Sequence, residues 1–165
     1  MKTFDIFSVR PATEADWEWI CERLDAQWGG TVMVVHSEAI ALTLLPAIVA
    51  GKGRGFVVYR YRGLSAEIVA MDVTEPCLGI GTALLHGLGE MLRPLGVQDL
   101  WVTTTNDNLD ALRFYQRRGF RVEFVHRDAV ARARLLKPQI PTVGYYGIPV
   151  CDEIDLRAAL PLPAK

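Results

Sequence analysis

The chain has 165 residues, a formal net charge of −1 and 50% hydrophobic residues. This length suits one domain with one core, and the composition is that of an ordinary globular protein. The near-neutral balance argues against a nucleic-acid binder driven by bulk charge, and the longest apolar stretches are too short to span a bilayer.

Phe7 to Arg10 reads as a short first strand. Pro11-Ala-Thr13 turns into a helix that Thr13 can cap, with Glu14 and Asp16 in the first turn where the helix dipole favours acids. Trp17, Ile20, Cys21, Leu24 and Trp28 recur at helical spacing, and Gly29-Gly30 stops the pattern. Thr31 to Val35 is β-branched and strand-like. Ser37 is expected to cap a short helix through Leu45, ended by Pro46. Three strands follow: Ala47 to Ala50, Phe56 to Arg62 and Leu64 to Val73, with turns at Gly51-Lys-Gly-Arg and Gly63.

A glycine loop then enters a helix beginning near Thr82, whose apolar stripe is Leu84, Leu85, Leu88, Met91 and Leu92. Leu100 to Thr105 reads as a strand, Asn108 to Arg118 as a helix and Phe120 to Val125 as a strand. Asp128 can cap a helix through Leu136, and Ile154 to Leu160 reads as a closing edge strand. Between them lies an irregular segment punctuated by Pro138, Pro141, Gly144, Gly147 and Pro149, which is either a wall of a substrate site or a tail packed over the sheet. The tail at Pro161 and Pro163 is expected to fray. Hairpins first and alternating strands and helices later predict an α/β (α+β) fold: a mixed, mostly antiparallel central sheet with helices on both faces. Residues 1–165 read as a single domain, with a core over about 7–125 and a C-terminal extension over 126–165.

Cys21, Cys77 and Cys151 are far apart, odd in number and form no CxxC, so neither a zinc site nor a disulfide framework is expected. His36, His86 and His126 are scattered, and no metal is expected. The opening Met1-Lys-Thr-Phe-Asp-Ile-Phe is not a signal peptide, and a cytoplasmic location is the expectation. Arg127, Arg132, Arg134 and Lys137 read as a solvated helix face.

Two segments carry the chemistry. Gly79-Ile-Gly-Thr-Ala-Leu-Leu places two glycines before a helix whose first backbone N–H groups have no intrahelical partner, a natural seat for a pyrophosphate. No Gly-Lys-Ser/Thr follows, and Leu84 stands where a dinucleotide fingerprint needs its third glycine. Downstream, Asn108-Leu-Asp-Ala-Leu-Arg-Phe-Tyr115-Gln-Arg-Arg-Gly119-Phe120 is a short helix with an Asn near its start and a Gly-Phe exit. Together, with the opening Val9-Arg-Pro-Ala-Thr13, these segments resemble the acetyl-CoA-binding core of the GCN5-related N-acetyltransferases (GNAT family) over about residues 7 to 125. One departure stands out: the family's Gln/Arg before the glycines falls on Pro76, beside Glu75. Hydrogen bonds to charged groups are worth ~1.5–3 kcal/mol, so losing one weakens CoA binding about tenfold or more.

The resemblance implies direct acetyl transfer from acetyl-CoA, the cosubstrate, to a primary amine of a small-molecule or peptide acceptor. It places the cofactor against Met71, Asp72, Val73, Leu78, Gly79, Ile80, Gly81, Thr82, Asn108 and Tyr115. A backbone N–H near Met71 to Val73 would polarise the thioester carbonyl, and Tyr115 would protonate the leaving thiolate. Taken by position alone, Tyr115 also reads as a half-buried packing residue and Asn108 as a helix cap. Glu67, an acid in the apolar run Ala66-Glu-Ile-Val, is the candidate general base; an ion pair with Arg60 or Arg62 is the alternative. Family analogy adds a homodimer. The competing function is an acyl-CoA-binding or sensing module of the same fold that has lost catalysis.

Overall fold

The computed structural model describes residues 7–164; the opening residues 1–6, read above as no signal peptide, and Lys165 lie outside the described residues. The elements run β1 (Val9–Pro11), α1 (Glu14–Trp28), β2 (Val32–Val35), β3 (Glu38–Ala41), β4 (Ala47–Ala50), β5 (Gly55–Arg62), β6 (Ser65–Val73), α2 (Ile80–Leu92), β7 (Asp99–Thr105), α3 (Leu109–Gln116), β8 (Arg121–His126), α4 (Ala129–Leu136) and β9 (Glu153–Ala159). Seven strands form one sheet in the order β1-β4-β5-β6-β7-β9-β8, and β2 and β3 form a separate hairpin. Neighbouring strands of the large sheet are antiparallel except β6 and β7, which run parallel.

The two faces of the sheet are covered differently. On one, Ile80, Leu84, Leu85, Leu88 and Leu92 of α2 pack with Ile48, Val57, Ile68, Leu100 and Leu156 of the strands, and Tyr115 and Phe120 join from the α3 side. On the other, Ile20 and Leu24 of α1 and Ile40 of β3 pack with Val49, Phe56, Val58 and Val69. This second cover lies over β4, β5 and β6. Beyond it, β7, β9 and β8 present Trp101, Thr103, Phe124, His126 and Asp155 to a cavity.

Most expected elements form where their patterns lie. In α1, the Asp16 carboxylate accepts from the Thr13 N–H (2.7 Å), and Gly29 ends the helix in a left-handed conformation. Three expectations change. The helix expected from Ser37 to Leu45 is instead β3 followed by a short 3₁₀ turn at Leu42–Leu44. His36 and Ser37 both have positive φ (50° and 62°), a two-residue hairpin turn that sends Glu38–Ala41 back along β2. The expected closing edge strand is interior: β9 pairs with β7 on one side and β8 on the other, so β8 is the edge. The C-terminal tail does not fray at its two prolines, because Leu162 is buried in the α2-side core and Pro163 lies against Gly119.

Candidate functional site

The sheet opens between its two parallel strands. β6 and β7 are in register from Ser65↔Asp99 to Ile68↔Val102 only. β6 continues to Val73 and β7 to Thr105, so beyond Ile68 and Val102 the strands part. Along β6, backbone groups point alternately to the two neighbouring strands. The Thr74 N–H donates to the carbonyl of Arg54, the residue just before β5 (2.9 Å). Alternation then turns the Met71 and Val73 N–H groups away from β5, toward the gap.

The N-terminus of α2 stands beside this gap. Its first intrahelical bond runs from the Ala83 N–H to the Gly79 carbonyl (2.9 Å). The N–H groups of Ile80, Gly81 and Thr82 therefore precede the ladder and have no intrahelical partner. The two glycines serve different ends. Gly79 caps the helix at φ 84°, a left-handed conformation, and a Cβ there would meet open space. A Cβ on Gly81 would lie 2.9 Å from the Phe114 ring and 3.0 Å from the Met71 methyl, so Gly81 admits close packing between α2, α3 and β6. Leu78, ahead of the cap, is exposed, whereas Ile80 is buried in the core. Thr82 is buried, and its hydroxyl accepts from Arg118 Nε (2.8 Å). The Arg118 guanidinium lies 3.8 Å above the Phe114 ring and also donates to the Phe114 carbonyl (2.8 Å). A cation is thus fixed against the first turn of α2, while Glu75 lies 3.7 Å from Arg54.

α3 supplies the remaining pieces. Asn108 is its cap, accepting from the Ala111 N–H (3.1 Å). Tyr115 is buried and packs against Phe114 and Phe120 (5.1 and 5.2 Å between centroids). Its hydroxyl points at Met71 Sδ (3.7 Å), which puts it at β6 where the strand has left β7. Burial pushes the Tyr115 hydroxyl well above the ordinary tyrosine range. Asp72, between Met71 and Val73, turns its side chain to the opposite face and accepts from Arg23 Nε of α1 (2.6 Å).

On that opposite face, a cavity of about 470 Å³ is lined by His36, Arg62, Ser65, Glu67, Trp101, Thr103, Phe124, His126 and Asp155. Period-two alternation assembles it. Glu153, Asp155 and Arg157 share one face of β9, while Ile154, Leu156 and Ala158 turn into or against the core. Glu67 and Thr103 flank the last β6–β7 pair, so the cavity abuts the mouth of the gap. Glu67 is buried; its Oε2 accepts from Arg60 Nε (2.7 Å) and forms an ion pair with Arg62, whose Nε lies 2.9 Å away. Asp155 accepts from Thr103 Oγ1 (2.7 Å) and meets His126 Nε2 (2.7 Å) and His36 Nε2 (3.0 Å). Burial pushes the Asp155 carboxyl up, but its hydrogen bonds to His36, Thr103 and His126 outweigh that and hold it at about 2. The bond to Asp155 raises the His36 imidazole above the ordinary histidine range, against an opposing effect of burial.

The model of the acetyltransferase (GNAT) family matches residues 7–120, more than half of the chain. The chain belongs to the GNAT acetyltransferase family. It is 37% identical over 150 residues to the uncharacterized protein YdhI of Bacillus subtilis (strain 168), covering 88% of this chain and 94% of that one. Among solved structures it resembles a GNAT family acetyltransferase from Elizabethkingia anophelis with acetyl-CoA bound (21% identity, TM-score 0.67, 93% of this chain and 98% of that one). It also resembles a Bacillus subtilis acetyltransferase in complex with CoA (20% identity, TM-score 0.66, 93% and 99%).

Within this GNAT fold, the structure brings Met71, Gly81 and Tyr115 into contact around Phe114, and places Asn108 at the start of the same helix. Glu67 lies apart from them, on the cavity side of the sheet. The irregular segment after α4 does not line the cavity. It packs on the β7–α3 loop, where Asp107 Oδ2 accepts from the Tyr145 N–H (3.0 Å) and Asn106 Nδ2 donates to the Pro149 carbonyl (2.9 Å). Two features escape sequence reasoning. Arg118 reads as one more surface arginine in a helix exit. The His36, His126 and Asp155 group comes from a hairpin turn and two strands far apart in sequence, with no motif spacing to reveal it. No helix among the described residues is long and apolar enough to cross a membrane.

Proposed function

We propose that this protein is an acetyl-CoA-dependent N-acetyltransferase that moves an acetyl group directly to a primary amine held in the Glu67 cavity. The parting of the parallel strands β6 and β7 carries this reading: it leaves a slot with backbone N–H groups on one wall, a buried tyrosine hydroxyl at its side and a helix N-terminus beside it. The pyrophosphate would sit on the first turn of α2, against the N–H groups of Ile80, Gly81 and Thr82. Gly79 lets it approach, and the Arg118 guanidinium offsets the polar side chain missing at Pro76. The Met71 and Val73 N–H groups face the thioester and stabilise the oxyanion.

The free amine attacks the carbonyl carbon, a C–N bond forms and the C–S bond breaks. Tyr115 gives its proton to the departing thiolate, and its raised pKa keeps it protonated at neutral pH. The acceptor's surplus proton passes to Glu67. Both arginines bind Glu67 through Oε2, leaving Oε1 for the ammonium. The stacked Trp101 and Phe124 rings (6.5 Å apart, 5° between planes) offer an apolar flank for the acceptor.

Acetyl-CoA and CoA, but not ATP, are expected to raise the melting temperature. A ligand at about 100 times its Kd stabilises the native state by ~2.7 kcal/mol, a shift of a few degrees. No rise at millimolar acetyl-CoA would overturn the proposal. Pro76 and Glu75 favour one second reading, a module that binds acyl-CoA without transfer; a rise in melting temperature with no turnover across a broad amine panel would select it. Arg118→Met keeps an apolar chain over Phe114 and removes the charge. It is expected to raise the acetyl-CoA Kd about tenfold, the worth of one charge-assisted hydrogen bond. Calorimetric titration of both proteins checks this.

A further inference from the structure

We propose that His36, His126 and Asp155 form a binding site for a divalent transition metal, with zinc as its natural occupant. Each residue offers one ligand atom, and the three atoms all lie within 4.8 Å of one another. His36 Nε2 is 3.0 Å from Asp155 Oδ1, and His126 Nε2 is 2.7 Å from Asp155 Oδ2. Zinc binds imidazole nitrogen and carboxylate oxygen at 2.0–2.2 Å, which places neighbouring ligands of a tetrahedral ion about 3.3 Å apart.

The outer contacts favour a metal over a plain hydrogen-bonded cluster. A metal-binding histidine usually donates its other ring N–H to a carboxylate, a backbone carbonyl or water, which fixes the ring. His36 Nδ1 lies 3.2 Å from Oε2 of Glu153, a buried carboxylate, and the His36 backbone N–H donates to the same oxygen (3.0 Å). Asp155 is braced in turn by Thr103 Oγ1 at 2.7 Å. His36 sits at φ 50°, a left-handed conformation uncommon for a residue with a side chain, and this turn projects its ring over β9. Charge supports the same assignment: the two carboxylates of Asp155 and Glu153 match the double charge of the ion. Two imidazoles and one carboxylate are donors that suit zinc.

Three protein ligands leave a fourth position. All three residues line the Glu67 cavity, so that position is available to water or to an oxygen or nitrogen of a bound molecule. The binding step itself does not depend on acetyl transfer, so its test can fail while the acetyltransferase assignment stands.

The test uses the full chain, stripped of metal by chelation and dialysed against buffered zinc, with bound metal measured by elemental analysis. Cobalt(II) serves as a spectroscopic substitute. Wild type is expected to retain one zinc per chain, and cobalt to give the intense visible bands of a four-coordinate site. His126→Phe keeps an aromatic ring beside Phe124 and removes a ligand; it is expected to weaken zinc binding at least about a hundredfold. Glu153→Gln removes only the outer carboxylate and is expected to weaken it about 10- to 100-fold. Sub-stoichiometric zinc in wild type would overturn the proposal. So would equal affinity in His126→Phe, or a six-coordinate cobalt spectrum in wild type, a measurement that requires no variant to fold.

Discussion

Replacing Tyr115 with Phe is expected to lower kcat for acetyl transfer about a hundredfold and to leave the acetyl-CoA Kd within about twofold. The substitution isolates one atom. The phenyl ring keeps its contacts with Phe114 and Phe120 in the core beside α2. What disappears is a hydroxyl whose one hydrogen bond among the described residues is a long contact to Met71 Sδ at 3.7 Å. Sulfur is a weak acceptor, so stability changes by less than about 1 kcal/mol. A thiolate leaving group needs a proton, and the proposed donor is the Tyr115 hydroxyl, which lies beside Met71 at the gap. Because burial raises the Tyr115 pKa, the hydroxyl stays protonated through and above neutral pH. Wild-type kcat should therefore show no fall from Tyr115 ionisation up to about pH 10, the ordinary tyrosine value. Steady-state rates with saturating amine, together with titration of acetyl-CoA, test both parts. Unchanged kcat under conditions where chemistry limits turnover would remove Tyr115 from the reaction.

The elements around the gap were legible because each rests on local chemistry. The Gly79-Ile-Gly81 loop marks the entry to a helix, Asn108 a helix start, and Leu64 to Val73 a strand. Order across the sheet was not legible. Ile154 to Ala159 alternates as a strand, but alternation does not say whether its neighbours number one or two, and β9 has two. Ser37 misled for a related reason: a serine before Glu38 satisfies a helix cap and a hairpin turn equally well by local preference. Pairing of Val35 with Glu38 and Val32 with Ala41 decides for the turn. That same turn delivers His36 to Asp155. The cluster was therefore hidden twice, by its sequence separation and by the helix expected to start at Ser37, directly after its first member. Arg118 was hidden differently. Its role depends on Thr82 lying beneath it, a contact between helix ends that neither segment predicts alone.

Glu67→Gln is expected to lower kcat/KM for the amine about a hundredfold or more near neutral pH, the usual reach of a positioned base. The residue is also a structural ion pair, so two effects must be separated. Glutamine preserves shape but leaves Arg60 and Arg62 without their shared charge. Arg60 retains Glu38, whose carboxylate lies 2.8 Å from its guanidinium, and Arg62 is half exposed. The stability cost is therefore about 1–3 kcal/mol rather than that of a fully stranded buried charge. Arg62→Gln removes one of the same two ion pairs and keeps the carboxylate. If Glu67 acts only through the ion pair, the two variants lose activity in proportion to their melting temperatures. If it takes the proton, Arg62→Gln stays within a few-fold of wild type while Glu67→Gln does not. The pH profile supplies the second separation. An alkyl ammonium loses its proton to solvent near pH ~10, so the deficit of Glu67→Gln narrows as the pH approaches that value. A purely structural defect has no reason to recover there. A deficit that stays constant from neutral pH to about pH 10 would exclude Glu67 as the base.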